Sequence, residues 1–238
     1  FLYISAKSPL LRVTLADLRI DKNLLKKTVH FSGTFAVQQS FLYVGVLLVQ
    51  GFVNTLGIGA IAAYNAVTKI DALALMPGDS LAASLSTFVA QNHGAGQKAR
   101  VVDSLKNALA IGLCYCIALS LFLPSIANWA MRLFLNPTEY EAISLGASYL
   151  KLMVLFYPLT AFCNTFQGFY RGLGKMRITL NATLIQIPVR IGFTCVLLAR
   201  FGLRSVPLAT GLGWGLMFAY QLFEYRRYKK NKHFEYSF

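Results

Sequence analysis

The stretch from Phe31 to Thr68, FSGTFAVQQSFLYVGVLLVQGFVNTLGIGAIAAYNAVT, contains no charged residue. As one helix it would be about 57 Å long at about 1.5 Å per residue, nearly twice the roughly 30 Å of bilayer hydrocarbon. The NTLGIG sequence at Asn54 to Gly59 supplies the turn chemistry that divides it. The stretch therefore reads as one membrane-spanning helix followed by the start of a second.

The rest of the chain agrees. Of its 238 residues 56% are hydrophobic and only 13% are charged, and a mean hydropathy of +0.53 is wrong for a water-soluble core of this size. Working outward, charge-poor runs place spans at about 31–53, 58–91, 105–124, 152–170, 178–199 and 205–223. The predicted organisation is a cytoplasmic segment 1–28, a six-helix transmembrane lobe 29–225 and a basic tail 226–238. Span two would be about 50 Å long, so it must tilt, protrude or kink at Pro77. Span three is expected to end at Pro124, and Pro158 to lie near the outer end of span four. Between them NPTEYE, at Asn136 to Glu141, resembles a capped helix start and Trp129 sits at interface depth, which predicts a short amphipathic surface helix. FLYIS at the start reads as the tail of an earlier helix.

The net charge of +14 would raise nucleic acid as a partner in a soluble protein. Its placement excludes that reading. Alternate loops on one side carry seventeen Lys and Arg, among them Lys7, Arg12, Arg19, Lys98, Arg100, Lys175, Arg177 and the Arg226 to Lys232 cluster. The other side carries four, Arg132, Lys151, Arg200 and Arg204. Short cytoplasmic loops retain basic residues, so both ends of the chain are expected in the cytoplasm of a multi-pass plasma-membrane protein. The basic tail also suits anionic lipid headgroups.

Catalytic chemistry finds little footing. Cys114, Cys116, Cys163 and Cys195 all lie in apolar runs without a CxxC pair, as packing residues do. His30, His93 and His233 are far apart, so no metal site is assigned. GAGQKAR (94–100) and GLGKMR (172–177) have the look of phosphate loops, but each follows an apolar helix rather than a strand and lacks the third glycine. They read instead as helix stops, and their similarity hints at a recurring helix-turn-helix unit.

Charges inside spans carry more information, because each is costly in hydrocarbon unless paired or facing water. Lys69, Asp71, Asp79 and Arg190 are those residues. Asp71 and Asp79 lie about 80° apart on an ideal helix, so one inward face can carry both. Pro77 and Gly78 between them loosen the backbone as a hinge does. Asp71 and Arg190 share a depth and are expected to pair. The pair either merely joins two helices or serves substrate passage and coupling. Gln38, Gln39, Ser40, Gln50, Asn54, Asn65, Asn164, Gln167, Asn181 and Gln186 add more polar groups than a structural bundle needs, which suggests a wet interior.

With these residues in place a resemblance emerges. NTLGIGAIAAYNAVTKIDALALMPGDSLAASLSTFVAQNHGAGQKAR resembles the seventh-to-eighth helix region of multidrug and toxic compound extrusion (MATE) transporters. FYRGLGKMRITLNATLIQIPVRIGF and GLRSVPLATGLGWGLMFAY resemble that family's tenth to twelfth helices. The likeness runs from about residue 12 to 225 in the right order. It implies an all-α membrane bundle that is one six-helix lobe of a twelve-helix transporter, the N-terminal lobe being its missing partner beside the lipid bilayer. It further implies no enzyme and no cofactor. The activity implied is an antiporter that expels small organic, often cationic, substrates against Na⁺ or H⁺. Some branches of the family carry a Glu in the first helix of this lobe and an Asp in the fourth, eleven residues before an RG motif. Here those places hold Gln38 or Gln39 and Thr160, so the pathway candidates remain Asp71, Asp79, Arg190, Lys69, Gln38, Gln39 and Asn164. A lipid-linked sugar flippase of the same superfamily, which should offer many basic residues, and a non-transporting membrane subunit are the alternatives.

Overall fold

The computed structural model describes residues 20–230, so the expectations for residues 1–19 and for the tail from 231 onward, His233 included, lie outside the described residues. What it describes is helical, with no strand among the described residues. The helices are α1 (Lys22–Asn54), α2 (Ile58–Gly94), α3 (Lys98–Arg132), α4 (Tyr140–Met153), α5 (Tyr157–Gly172), α6 (Met176–Phe201) and α7 (Ser205–Lys230). A 3-10 turn, Val154–Phe156, joins α4 to α5 into one 33-residue pass. The 55-residue apolar stretch Met176–Lys230 folds back at Gly202, whose φ of +52° suits glycine, and α6 and α7 pack along each other. The result is six antiparallel helical passes. In lipid the helix is the natural element, because it satisfies every backbone polar group internally.

Asp21 starts α1 by accepting hydrogen bonds from the backbone N–H groups of Asn23 and Leu24, at 2.7 and 3.2 Å. The two glycine turns close with one pattern. Ala95 N–H bonds Gln91 C=O, Gly96 bonds His93 and Gln97 bonds Asn92, just as Leu173 bonds Phe169, Gly174 bonds Arg171 and Lys175 bonds Tyr170. Gly96 (φ +71°) and Gly174 (φ +74°) hold the left-handed position in each. The similarity of GAGQKAR and GLGKMR is therefore a shared helix stop, used where α2 meets α3 and where α5 meets α6.

Three expectations fail between α3 and α5. Helix α3 does not stop at Pro124 but runs to Arg132, because Ala127, Ala130 and Met131 bury themselves against α4 and offset the hydrogen bond the proline removes. No separate surface helix forms. Its expected residues are shared between the end of α3 and α4, and α4 buries Ala142, Ile143, Ala147, Tyr149 and Leu150 in the bundle. Pro158, placed near the outer end of its span, instead stands at the second position of α5, midway along the pass.

Helix α5 occupies the centre, touching α2, α3, α6 and α7. Hydrophobic burial contributes little between helices in lipid, so close backbone approach must hold them. Gly168 and Gly172, spaced as a GxxxG pair, permit it. A Cβ at Gly168 would strike the Ala82 carbonyl of α2, and one at Gly172 would lie 2.6 Å from the Ser86 carbonyl. In contrast α1 is largely uncovered, leaning mainly on α6.

Candidate functional site

Along α5 the residues Tyr157, Thr160, Asn164, Gln167 and Arg171 recur every three or four positions, so they form one stripe on a 3.6-residue helix. The stripe is polar in a helix otherwise built from aromatic and small residues. It meets groups from α1, α2 and α6 and forms a seam along the middle of the lobe.

Toward the end of the lobe that carries the Asn54–Ile58 turn, the Tyr157 hydroxyl donates to Asp71 Oδ1 on α2. Tyr157 is fully buried, as are Tyr64 and Tyr149, whose rings meet edge to face at 6.0 Å and 77°. The Arg190 guanidinium of α6 lies beside the Tyr64 hydroxyl and within electrostatic reach of Asp71 and Tyr149. Its Nε is buried without a hydrogen-bond partner. The expected ion pair is therefore not a contact: the ion pairs among the described residues are Lys106–Asp103 and Arg227–Glu224, both near the surface. Asp71 and Arg190 do share one enclosed cluster, but tyrosine hydroxyls attend them individually.

Toward the other end, Asn164 Nδ2 donates to Asp79 Oδ1 at 2.8 Å. Arg171 is within electrostatic reach of Asp79, again without an ion pair, and stands over the Phe35 ring of α1 at 5.6 Å. Beside them Gln38 Nε2 donates to Gln167 Oε1 (3.1 Å) and Thr183 Oγ1 (2.9 Å), which ties α1, α5 and α6 together. Asp79 is exposed, whereas Gln38, Gln167 and Thr183 are buried. Outside the span, the Lys175 ammonium lies 3.7 Å from the centre of the Tyr228 ring. Burial lowers its pKa, and Glu224 partly opposes that.

Of the residues singled out from sequence, Asp71, Asp79, Arg190, Gln38 and Asn164 come to the seam. Lys69 does not: it is exposed and lies over Phe134 at 5.8 Å. Gln39 makes no side-chain hydrogen bond among the described residues. Pro77 and Gly78 lie inside α2, which continues as a helix between the two carboxylates. The tyrosines 64, 149 and 157 and Thr183 were not anticipated. The three-and-four spacing from Tyr157 to Arg171 was the available signal.

The family model described as MatE matches residues 35–196. The chain is 25% identical over 195 residues to the Bacillus subtilis "Probable multidrug resistance protein YpnP", covering 80% of this chain and 43% of that protein. It is 29% identical over 146 residues to the same organism's "Probable multidrug resistance protein YoeA", covering 60% and 30%. The chain thus spans less than half the length of these curated relatives. The fold is shared with a crystal structure of MATE in complex with MaL6, at a TM-score of 0.86 and 18% identity over 97% of this chain and 53% of that one.

Proposed function

The chain belongs to the MATE family of membrane transporters, and from that membership we propose that it forms one lobe of an antiporter exporting small organic, mainly cationic, compounds in exchange for Na⁺ or H⁺. The second lobe would be a six-helix bundle of similar build, and the two would enclose the seam. The proposed setting is the plasma membrane, with the Lys22 and Lys230 ends of the lobe facing the cytoplasm.

The observation that carries this reading is the state of the two carboxylates. A closed ion pair is spent on structure, but Asp71 and Asp79 each accept a neutral donor while an arginine stands off at a distance. Such a carboxylate keeps capacity for a proton, a metal ion or a cationic ligand. The exposed Asp79, with Asn164 and Phe35 nearby, suits an organic cation, and the enclosed Asp71 suits a small coupling ion. Among the described residues only Arg171 and Arg190 offer positive charge along the seam, which is poor equipment for a diphosphate and disfavours the flippase alternative.

The test uses the full-length gene product in proteoliposomes, with an imposed Na⁺ or H⁺ gradient and a fluorescent organic cation. Gradient-driven dye movement is expected, reduced at least about tenfold by Asp71→Asn, roughly the loss of 1.4 kcal/mol of coupling. Gradient-independent flux, or wild-type flux in both Asp71→Asn and Asp79→Asn, would end the proposal.

A further inference from the structure

The Asp79 end of the seam carries two opposite charges that do not close on each other. Asp79 is exposed on α2, and its Oδ1 accepts from the Asn164 amide. Arg171, in the last turn of α5, feels Asp79 electrostatically, yet among the described residues neither has an ion-pair partner. A basic residue at a helix C-terminus ordinarily serves the last carbonyls. The Arg171 guanidinium lies instead over the Phe35 ring of α1, and its Nε is buried without a hydrogen-bond partner. An unbonded donor on a charged group is costly, and a ligand that bonds it recovers that cost.

The groups between the two charges are neutral and polar. Asn164 and Arg171 stand seven residues apart on α5, about 10 Å at about 1.5 Å per residue, and a long helical side chain leans back toward the N-terminus, which carries the guanidinium toward the carboxylate. Gln167 lies between them on the same stripe and accepts from Gln38 of α1. Gln38 is 2% exposed, and its Oε1 has no partner. Phe35 and Gln38, three residues apart, share a face of α1. One wall therefore presents, in order, a carboxylate, a row of amides with an open acceptor, and a guanidinium with an open donor stacked on an aromatic face.

We infer that Arg171 is a specificity-determining residue that binds the acidic group of an amphoteric ligand, an organic cation that also carries a carboxylate. The cationic group sits at Asp79, the carboxylate at Arg171 and a flat ring against Phe35. A guanidinium offers a carboxylate a fork of paired donors, and stacking on Phe35 fixes the plane of that fork. Each charge of such a ligand meets its opposite, so it leaves water at less cost than a cation that brings a positive charge toward an unsatisfied arginine. The inference rests on the export reading for the seam being a ligand path, and it adds an acidic group to the ligand that path takes.

Two dyes that differ only at the acidic group test this. Rhodamine 123 is a flat organic cation whose carboxyl is a methyl ester, and rhodamine 110 is the same dye with the free acid. Fluorescence polarisation with the full-length protein in detergent at neutral pH gives a Kd for each. A wall governed by Asp79 alone favours the cationic ester, whereas with Arg171 engaged the free acid should bind at least about tenfold more tightly. Arg171→Gln should abolish or reverse that preference and bind rhodamine 123 more tightly than wild type, and Asp79→Asn should weaken both dyes. Equal affinities in the wild type, tighter binding of the ester, or a preference for the acid that survives Arg171→Gln would overturn the inference. The wild-type comparison needs no variant, so it decides even if an Arg171 variant does not fold. Gradient-driven movement of rhodamine 123 in proteoliposomes, together with equal affinities for the two dyes, would sink this inference and leave the export reading intact.

Discussion

The two ends of the seam are built to one scheme and differ in enclosure. At each, a carboxylate of α2 accepts a neutral donor from α5 and feels an arginine that does not touch it: Asp71 with Tyr157 and Arg190, Asp79 with Asn164 and Arg171. At Asp71 the walls are three buried tyrosines, whereas Asp79 is exposed and its neighbour is an amide. In a low-dielectric enclosure each hydrogen bond matters more and each unpaired group costs more. The same substitution should therefore have unequal consequences at the two ends.

The largest effect is expected where the comparison can be broken altogether. Gly168→Leu drives a side chain into the Ala82 carbonyl of α2, backbone that cannot give way locally. It should separate Asn164 from Asp79 and cost about 3 kcal/mol, the upper end for overpacking. The thermal midpoint of the purified protein measures this, with Gly33→Leu, where no atom lies within 4 Å, as the neutral control.

Next, Tyr157→Phe leaves an enclosed carboxylate without its donor and should cost about 1–3 kcal/mol. Asn164→Leu, at the exposed Asp79, should cost much less because water replaces the amide. Equal losses would erase the distinction between the two ends.

A double-mutant cycle sharpens the account of the enclosed end. Breaking a closed buried ion pair costs about 3–5 kcal/mol, but Asp71 and Arg190 are not in contact. Their coupling, from Asp71→Asn, Arg190→Gln and the double variant, should stay below about 1.5 kcal/mol. A coupling of 3 kcal/mol would restore the direct pair expected from sequence. Smallest of all, Lys69→Ala should leave the thermal midpoint unchanged, because Lys69 faces away from the seam toward Phe134.

The two carboxylates were visible in the sequence because a charge in an apolar run is rare and costly. Their partners were less visible. Tyrosine is common at membrane depth for ordinary packing, so Tyr64, Tyr149 and Tyr157 did not stand out until Asp71 and Arg190 were seen among them. Gln38 and Gln39 are adjacent in sequence and indistinguishable there, and only the approach of α6 and α5 decides that Gln38 is bonded while Gln39, among the described residues, is not.

The sequence by itself determined the solvent, the element type and the number of passes. Each follows from local physics: apolar runs long enough to cross hydrocarbon must be helical to satisfy their backbone, and glycine-bearing turns must separate them. Tertiary structure decided what lies beyond one helix's reach. Helix α3 continues past Pro124 because α4 offers Met131 and its neighbours a place to pack, and Pro158 becomes a mid-pass break because α4 is part of the bundle. Helical spacing already turns Lys69 and Asp71, two residues apart, to nearly opposite faces, but tertiary structure supplied their partners, Phe134 and Tyr157. Whether two distant charges touch depends on the rotation and closeness of three helices at once, which the spacing of residues along one of them does not contain.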